Sequence, residues 1–517
     1  MSMAQPIAPD YGQQFLFPPA LEDWVPADHP ARFLREFVDQ LDLAQLGFSM
    51  PASVEGRPPY APSLLLKIWL YGYFFHIRAT RKLEAACREV LPLVWLSGLI
   101  QPDHNSLWRF WRDNQKALRA VFKQTVQVAW RSGCVGLVLQ AVDGTKIEAA
   151  ASGYSGWTKE HMEKLLAQLE ASLADTELKV LAENDTPATV SLPAGLAQRA
   201  ALREEIKKGL AQLQADGRQH YQPVEPEARR MQLGNGTNRF AYNAQAVADA
   251  KAGIIVACDV TRQENDTGQL VPMIEQARQN LELKATAATT LGDSGYGSGT
   301  DLQQAQEKHL SVLVVPLEGT NDPDHPYARR HFKIDAAAGQ VICPRGVLLD
   351  YEGKTTKRGA VVERYRCHCR DCPVRSQCTK DPKGRQIEVW PYAQAIQDMR
   401  ERLAQPLFQH RLHHRAEIIE PCFGHIKQQM GFRRWTVWGL AQVKTQWALL
   451  CATSNLKKLF VRWKDKQNHP GATGWASFWA EILRFVLRYW LQIAVGCSAR
   501  KPKNNFGHLT FPKLMAS

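Results

Sequence analysis

Between Val135 and Val315 the chain is written in short β-branched apolar runs, first in hairpin succession and then singly between helical stretches. That order restricts it to a mixed sheet with helices on its faces. The first run, Val135 to Ile147 (VGLVLQAVDGTKI), leads into an Asp-Gly pair. Arg239 to Ala248 and Gly253 to Thr261 read as two strands joined by the loop Asp249 to Ala252. A helix over Thr267 to Glu282, a strand over Ala287 to Leu291, a helix over Thr300 to Lys308 and a strand over Leu310 to Val315 complete the alternation. Trp157 to about Leu213 is polar and rich in Ala, Leu, Lys and Glu, which predicts an inserted pair of long helices broken at Asn184 to Pro193.

Ahead of this sheet, Ala31 to Leu46, Ser63 to Ile77, Lys82 to Leu96 and Ser106 to Arg131 carry apolar residues at spacings of three and four, the mark of an all-α domain. Arg78, Arg81, Lys82, Arg109, Arg112 and Lys116 decorate it, with Trp108 and Trp111 among the last three. A basic helical domain suits DNA, although most charged helix faces are simply solvated. The whole chain of 517 residues carries 64 Lys and Arg against 51 Asp and Glu, a net charge of +13. Such a surplus favours a polyanionic partner through counterion release.

No export signal is legible in Met1 to Gln14, so a cytoplasmic location is expected. The one apolar stretch of membrane length, Trp475 to Cys497, contains Glu481, Arg484 and Arg488, each costing about 2.5 to 3.5 kcal/mol at a bilayer centre, so no membrane association is expected. Of eleven cysteines, five lie between Cys343 and Cys378. In a reducing compartment such clustering points to metal ligation before disulfides.

Two acidic residues follow strand signals. Asp143 stands at the end of the first run, directly before Gly144, and Asp293 opens the glycine-rich exit Gly292-Asp293-Ser294-Gly295-Tyr296-Gly297. Either alone could be an ordinary turn aspartate. A third, Glu420, lies in Arg415 to Met430, where Ile419, Phe423, Ile426 and Met430 form a stripe that would pack on the sheet. At 3.6 residues per turn, Glu420 and Lys427 share one edge of that stripe, with Gly424 between them; Glu417, one turn earlier, is a rival. Three carboxylates from two strand ends and a helix suit two Mg²⁺ or Mn²⁺ ions roughly 3.5 to 4 Å apart, which stabilise the attacking and leaving oxygens of phosphoryl transfer. Asp143 is expected to bridge both ions, with Asp293 and Glu420 completing one site each and Lys427 on the phosphate backbone.

Val142-Asp143-Gly144-Thr145, Tyr242-Asn243-Ala244-Gln245, Gly292-Asp293-Ser294-Gly295-Tyr296 and Ile419-Glu420-Pro421-Cys422-Phe423-Gly424-His425-Ile426-Lys427, followed by Gly431-Phe432-Arg433-Arg434, resemble the prokaryotic insertion-sequence DDE transposases. The N-terminal stretch with Pro102-Asp103-His104-Asn105-Ser106 and Phe110 resembles the helical domain preceding catalysis in that group, so the likeness covers about residues 15 to 460. The wider family often has Tyr and Arg seven and four residues before the glutamate; here His413 and Ala416 stand there, with Arg415 one place off. The resemblance implies an RNase H-like catalytic sheet, catalytic Asp143, Asp293 and Glu420, and phosphate contacts from Lys427, Arg433, Arg434 and Arg415. It also implies double-stranded DNA partners, namely the element's inverted terminal repeats and a target. Two symmetric ends favour a homodimer or larger synaptic complex.

The expected layout is a helical DNA-binding domain over 1–131, a catalytic core over 132–320 with an insertion at about 157–225, a Cys-rich segment over 321–390, final core helices over 391–460 and a basic, Trp-rich tail over 461–517. Cys343, then Cys367-His368-Cys369-Arg370-Asp371-Cys372 and Cys378, have tetrahedral zinc spacing. Cys343, Cys369, Cys372 and Cys378 are the expected ligands, with Cys367 or His368 as substitutes, in a zinc-ribbon-like segment with little apolar content to hold itself together. Two other functions fit much of this pattern: a catalytically inactive, zinc-containing DNA-binding protein, and another RNase H-like nuclease. The presence of all three carboxylates argues against the first. The long insertion and Lys427 argue against the second.

Overall fold

In a computed structural model of the chain, residues 20–50, 58–151, 156–183, 194–283, 288–317, 325–335 and 338–468 are described. The N-terminal leader, the break at Asn184 to Pro193, the candidate span Trp475 to Cys497 and nearly all of the tail from 461 lie outside them. Residues up to Phe460 form one compact unit, and Val461 onward a second.

The N-terminal part is helical: α1 (Pro30–Asp39), α2 (Pro62–Phe74), α3 (Thr80–Glu89), α4 (Leu91–Leu96), α5 (His104–Asp113) and α6 (Gln115–Arg131). Two expected helices are each divided. Pro92 opens a new helix after Val90, because proline lacks the N–H and clashes with the preceding turn. Asn114 parts α5 from α6, its side chain donating to Phe110 O at 2.9 Å and accepting from Ser49 N at 2.8 Å. Trp111 is buried and lies 4.8 Å, centroid to centroid, from Trp69. Trp108, Arg109 and Lys116 remain exposed. Arg78 is not a solvated charge: its guanidinium donates to Met430 O and lies over the Phe432 ring, tying the helical part to the end of the catalytic segment.

The sheet begins with β1 (Leu139–Glu148). β2 (Trp157–Thr158), α7 (Lys159–Glu183), α8 (Ala194–Asp216) and β3 (His220–Tyr221) form the insertion, whose own core joins Met162, Leu169, Ile206, Leu213 and Tyr221. The chain returns through β4 (Arg229–Gln232), β5 (Asn238–Asp249), β6 (Ile255–Thr261), α9 (Leu270–Leu281), β7 (Thr289–Gly292), α10 (Gly299–Glu307) and β8 (Val312–Val314). β5 pairs antiparallel with β1 on one side and with β4 and β6 on the other; β7 runs parallel to β1, and β8 parallel to β7. The expected mixed sheet with flanking helices is present.

β9 (Lys333–Asp335) and β10 (Gln340–Ile342) form a hairpin; β11 (Asp350–Lys357), β12 (Ala360–Arg366) and, after the short α11 (Arg375–Cys378), β13 (Gln386–Val389) form a three-stranded antiparallel sheet. The expectation that this segment is too polar to hold itself together fails. Phe332, Ile334, Val341, Leu349, Tyr365, Ile387 and Val389 bury one another, with Cys343, Cys369 and Cys378 packed against them. The apolar residues alternate along short strands and so concentrate on one face.

α12 (Ala393–Leu403), α13 (Pro406–Gly424) and α14 (Leu440–Asn468) complete the described chain, and α13 lies across β1, β5, β7 and β8. α14 carries Trp447 and Asn455, both fully buried. Asn455 clamps strand β6, accepting from Ile255 N at 2.9 Å and donating to Ile255 O at 2.8 Å. No helix among the described residues is long and apolar enough to cross a membrane.

Candidate active site

The parallel pairing of β1 with β7 sets Ala141 opposite Leu291. Continued two residues, the same register sets Asp143 beside Asp293. Asp143 is not at a strand end, as its Asp-Gly sequence suggested. β1 runs on through Gly144, which pairs with Gln245 of β5, so the strand ladder overrides the turn preference. Asp143 Oδ1 accepts from Gly144 N at 2.7 Å, and Oδ2 pairs with Arg415 Nη1 at 2.8 Å. Burial pushes the Asp143 carboxyl up from the usual carboxylate range; Arg415 pulls it back down, and the nearby Asp293 charge pushes it up again. Asp293 caps the single turn Ser294–Tyr296, its Oδ1 accepting from Gly295 N at 2.9 Å.

Behind these two carboxylates is a polar network whose parts had no assigned role in the sequence. Asn243 and Gln245, alternate residues of β5, are fully buried. Asn243 Nδ2 and Gln245 Nε2 both donate to Asp266 Oδ1, at 2.8 and 2.6 Å, and Tyr296 Oη donates to Gln245 Oε1. Burial keeps the Tyr296 phenol protonated far above its ordinary range, reinforced by the charges of Asp266, Asp143 and Asp293. The available signal was the alternation of two polar residues in an otherwise apolar strand, since such groups are buried only when bonded.

α13 brings Arg415 to this site and leaves Glu420 exposed. Ile418, Ile419, Cys422 and Phe423 are buried; Glu420 is exposed, and no hydrogen bond or ion pair of Asp143 or Asp293 reaches it. Pro421 lies within the helix, and a wide π-type turn follows over His425–Gln429. That turn invalidates the constant 3.6-residue projection that set Glu420 and Lys427 on one edge. Lys427 is half-buried, its ammonium pushed down first by burial and then by Arg433, with Asp143 near enough to oppose that shift. Arg433 is exposed. Arg415, expected on phosphate, is instead paired with Asp143.

Arg434 has a structural role in place of the expected free phosphate contact. Its Nε donates to Ala149 O, and its Nη2 to Ala150 O and Ala151 O, each at 3.0 Å, closing the exit of β1 against the segment after α13. Arg434→Ala is expected to destabilise the fold by about 1–3 kcal/mol, the range for charge-assisted hydrogen bonds. The change should appear as a lower urea midpoint, with the salt dependence of DNA binding unaltered.

The carboxylate oxygens of Asp143 and the nearby Asp293 fit a hard divalent cation, with one oxygen of Asp143 held by Arg415. Among the described residues no three Asp, Glu, His or Cys side chains are already gathered at coordinating distance. The cysteines occupy a second locality: Cys343, Cys367, Cys369, Cys372 and Cys378, with His368, line one cavity of about 380 Å³. Val347 N donates to Cys343 Sγ at 3.4 Å in the tight turn after Cys343. Burial first, then the neighbouring Cys369 and Cys343, push the Cys367 thiol up to about 12. Burial likewise raises Cys378, with Arg385 opposing.

Residues 342–460 match the family model described as a Transposase DDE domain, and residues 19–113 the model described as a Transposase domain (DUF772). The first match contains the cysteines, Glu420 and Lys427, and the second the basic helices up to Asp113. No curated protein matches the chain. Two transposase models, one at each side of a sheet bearing paired aspartates, support an insertion-sequence DDE transposase, with a transposase DDE domain over 342–460 and a second transposase domain over 19–113.

Proposed function

We propose that this transposase binds the inverted terminal repeats of its own element, cleaves a phosphodiester at each end and joins the freed 3′ hydroxyl to target DNA. The observation that carries the reading is the placement of Asp143, on β1, near Asp293, directly after the parallel strand β7, beneath a helix that bears Arg415 and Glu420, with Lys427 in the turn that follows it. An RNase H-like identity of the sheet is supported by its order: three antiparallel strands, β6, β5 and β1, followed by β7 and β8 running with β1.

Asp143, Asp293 and Glu420 would hold the divalent ions. Bound there, two Mg²⁺ or Mn²⁺ ions supply an activated attacking oxygen and stabilise the leaving one. Asp143 and Asp293 orient the scissile phosphate through that site, while Lys427 and Arg433 neutralise the flanking backbone. Arg415, within reach of the same carboxylate, sets its orientation. Two element ends treated alike favour a homodimer or larger synaptic assembly on double-stranded DNA.

The test is incubation of the full chain with DNA carrying the element's own ends, a target plasmid and Mg²⁺. Nicked ends and joined product are expected, and EDTA should abolish both. Binding without cutting would favour an inactive DNA-binding protein; cutting without joining, indifferent to end sequence, would favour another nuclease.

The cysteine cavity supports a structural Zn²⁺ held by Cys343, Cys369, Cys372 and Cys378, with Cys367 or His368 as substitutes. The N–H donated to Cys343 Sγ is the kind of outer-shell contact that orients a zinc ligand. Purified protein is expected to contain about one zinc per chain. Cys372→Ser should lower both that content and the thermal midpoint. Zinc-free protein with an unchanged midpoint would refute the assignment.

A further inference from the structure

Where the end of α2 meets α14 and the turn after α13, four basic side chains converge: His76 and Arg78 from the α2–α3 loop, His425 from the π-type turn, and Lys457 from α14. Lys457 Nζ donates to His76 Nε2 at 3.1 Å and lies 5.2 Å from the Phe74 ring centroid. Arg78, held at Met430 O and over the Phe432 ring, keeps a buried Nε with no hydrogen-bond partner; His425 Nε2 is likewise buried and unpartnered. Lys458, next in α14, adds a fifth cation, its Nζ 3.6 Å from the sulfur of Cys422, which stands three residues before His425. These groups disfavour one another's charge. Burial first, then Lys457, Arg78 and His425, push the His76 imidazole below its ordinary range; burial and then Lys457 lower His425, and burial and then Arg78 lower Lys457. Among the described residues no carboxylate offsets these effects. Half-buried like charges cost free energy that a bound anion removes, and unmet nitrogens add to the cost.

We infer that this junction holds one backbone phosphate of bound duplex DNA, outside the cleavage site, through Lys457, His76, Arg78 and His425. A phosphodiester is a compact anion whose two free oxygens accept several charge-assisted hydrogen bonds, which suits a cluster with cationic donors and no acceptor of its own. Such a contact positions DNA and reads no base. It is separate from the carboxylate pair: no hydrogen bond or ion pair joins the four residues to Asp143 or Asp293. Because His76 and Arg78 belong to the helical part and His425 and Lys457 to the segment after the sheet, one phosphate is gripped from both. The inference rests on the reading of the chain as one that binds duplex DNA.

The experiment measures equilibrium binding of the full chain, across a KCl series, to a duplex carrying the element's ends and to an unrelated duplex of equal length. It compares the wild type, Lys457→Gln and a control, Lys208→Gln, at an exposed position of α8. Lys457→Gln is expected to bind both duplexes about 10-fold more weakly, the loss of one charge-assisted hydrogen bond. Its slope of log affinity against log salt should be shallower by about 0.9, the value for one phosphate contact. Its thermal midpoint without DNA should not fall, because one cation leaves a repulsive group. Lys208→Gln should keep the wild-type slope. Wild-type affinity and slope in Lys457→Gln overturn the phosphate site and leave the DNA-binding reading intact, whereas no binding of either duplex by the wild type overturns both. Weakening confined to the end duplex means base readout and also overturns the assignment. Should Lys457→Gln fail to fold, His76→Gly removes the neighbouring imidazole at a φ of 67° that glycine adopts without strain. It is expected to fold and to weaken both duplexes, and unchanged affinity there overturns the proposal.

Discussion

Asp143→Asn is expected to reduce end cleavage and strand transfer by at least about 10³-fold while leaving binding to the terminal repeats intact. The substitution keeps the shape of the side chain and removes the charge that would hold the cation. Stability should move the other way. The folded-state affinity of Asp143 for a proton is raised, chiefly by burial, so its ionised form costs folding free energy at neutral pH. A group raised in this way makes the native state relatively more stable at low pH, and that stability is lost as pH rises through the folded value. Measured without divalent ion, Asp143→Asn should therefore melt no lower than the wild type at pH 7, and the difference should shrink toward pH 4. A variant that loses activity together with its melting transition would mean that Asp143 is structural.

Trp447→Ala is expected to be among the most destabilising single changes, at about 3–5 kcal/mol, against a typical total of 5–15 kcal/mol for a folded protein. Trp447 is fully buried, its ring 6.3 Å from Phe423 and 6.2 Å from Trp435, and its Nε1 donates to Gln245 O at 2.9 Å. It thus joins α14 to α13 and to the strand residue whose side chain meets Asp266 and Tyr296. Cleavage should fall in step with the fraction folded. Trp447→Phe, which keeps ring packing and loses one hydrogen bond, should recover most of the stability in a urea titration. A midpoint near wild type for Trp447→Ala would remove α14 from the core of this account.

The sheet was legible because its strands alternate with helices of ordinary length and carry β-branched runs, and β5, β6, β7 and β8 fall within a few residues of the expected spans. The paired aspartates were legible for the same reason: each follows a strand signal. Local patterns misled wherever tertiary pairing overrides them. Asp143-Gly144 reads as a turn, but Gln245 draws Gly144 into the ladder. The sequence of α13 obeys helical spacing until Pro421 and the π-type turn shift the phase before Lys427. Arg434 and Arg415 look like phosphate contacts because basic residues near an acidic site usually are; here one closes on backbone carbonyls and the other on Asp143. Asp266 carried no periodic or motif signal, since the amides that bond it come from strand residues some twenty positions away.

The most direct test of the three-carboxylate account concerns its least enclosed member. End DNA, target and Mg²⁺ should be given in parallel to the wild type, Glu420→Gln and Glu417→Gln. Cleavage and joining by the wild type and Glu417→Gln, with none by Glu420→Gln although it still binds the repeats, is the predicted result. Normal cleavage by Glu420→Gln would contradict the account.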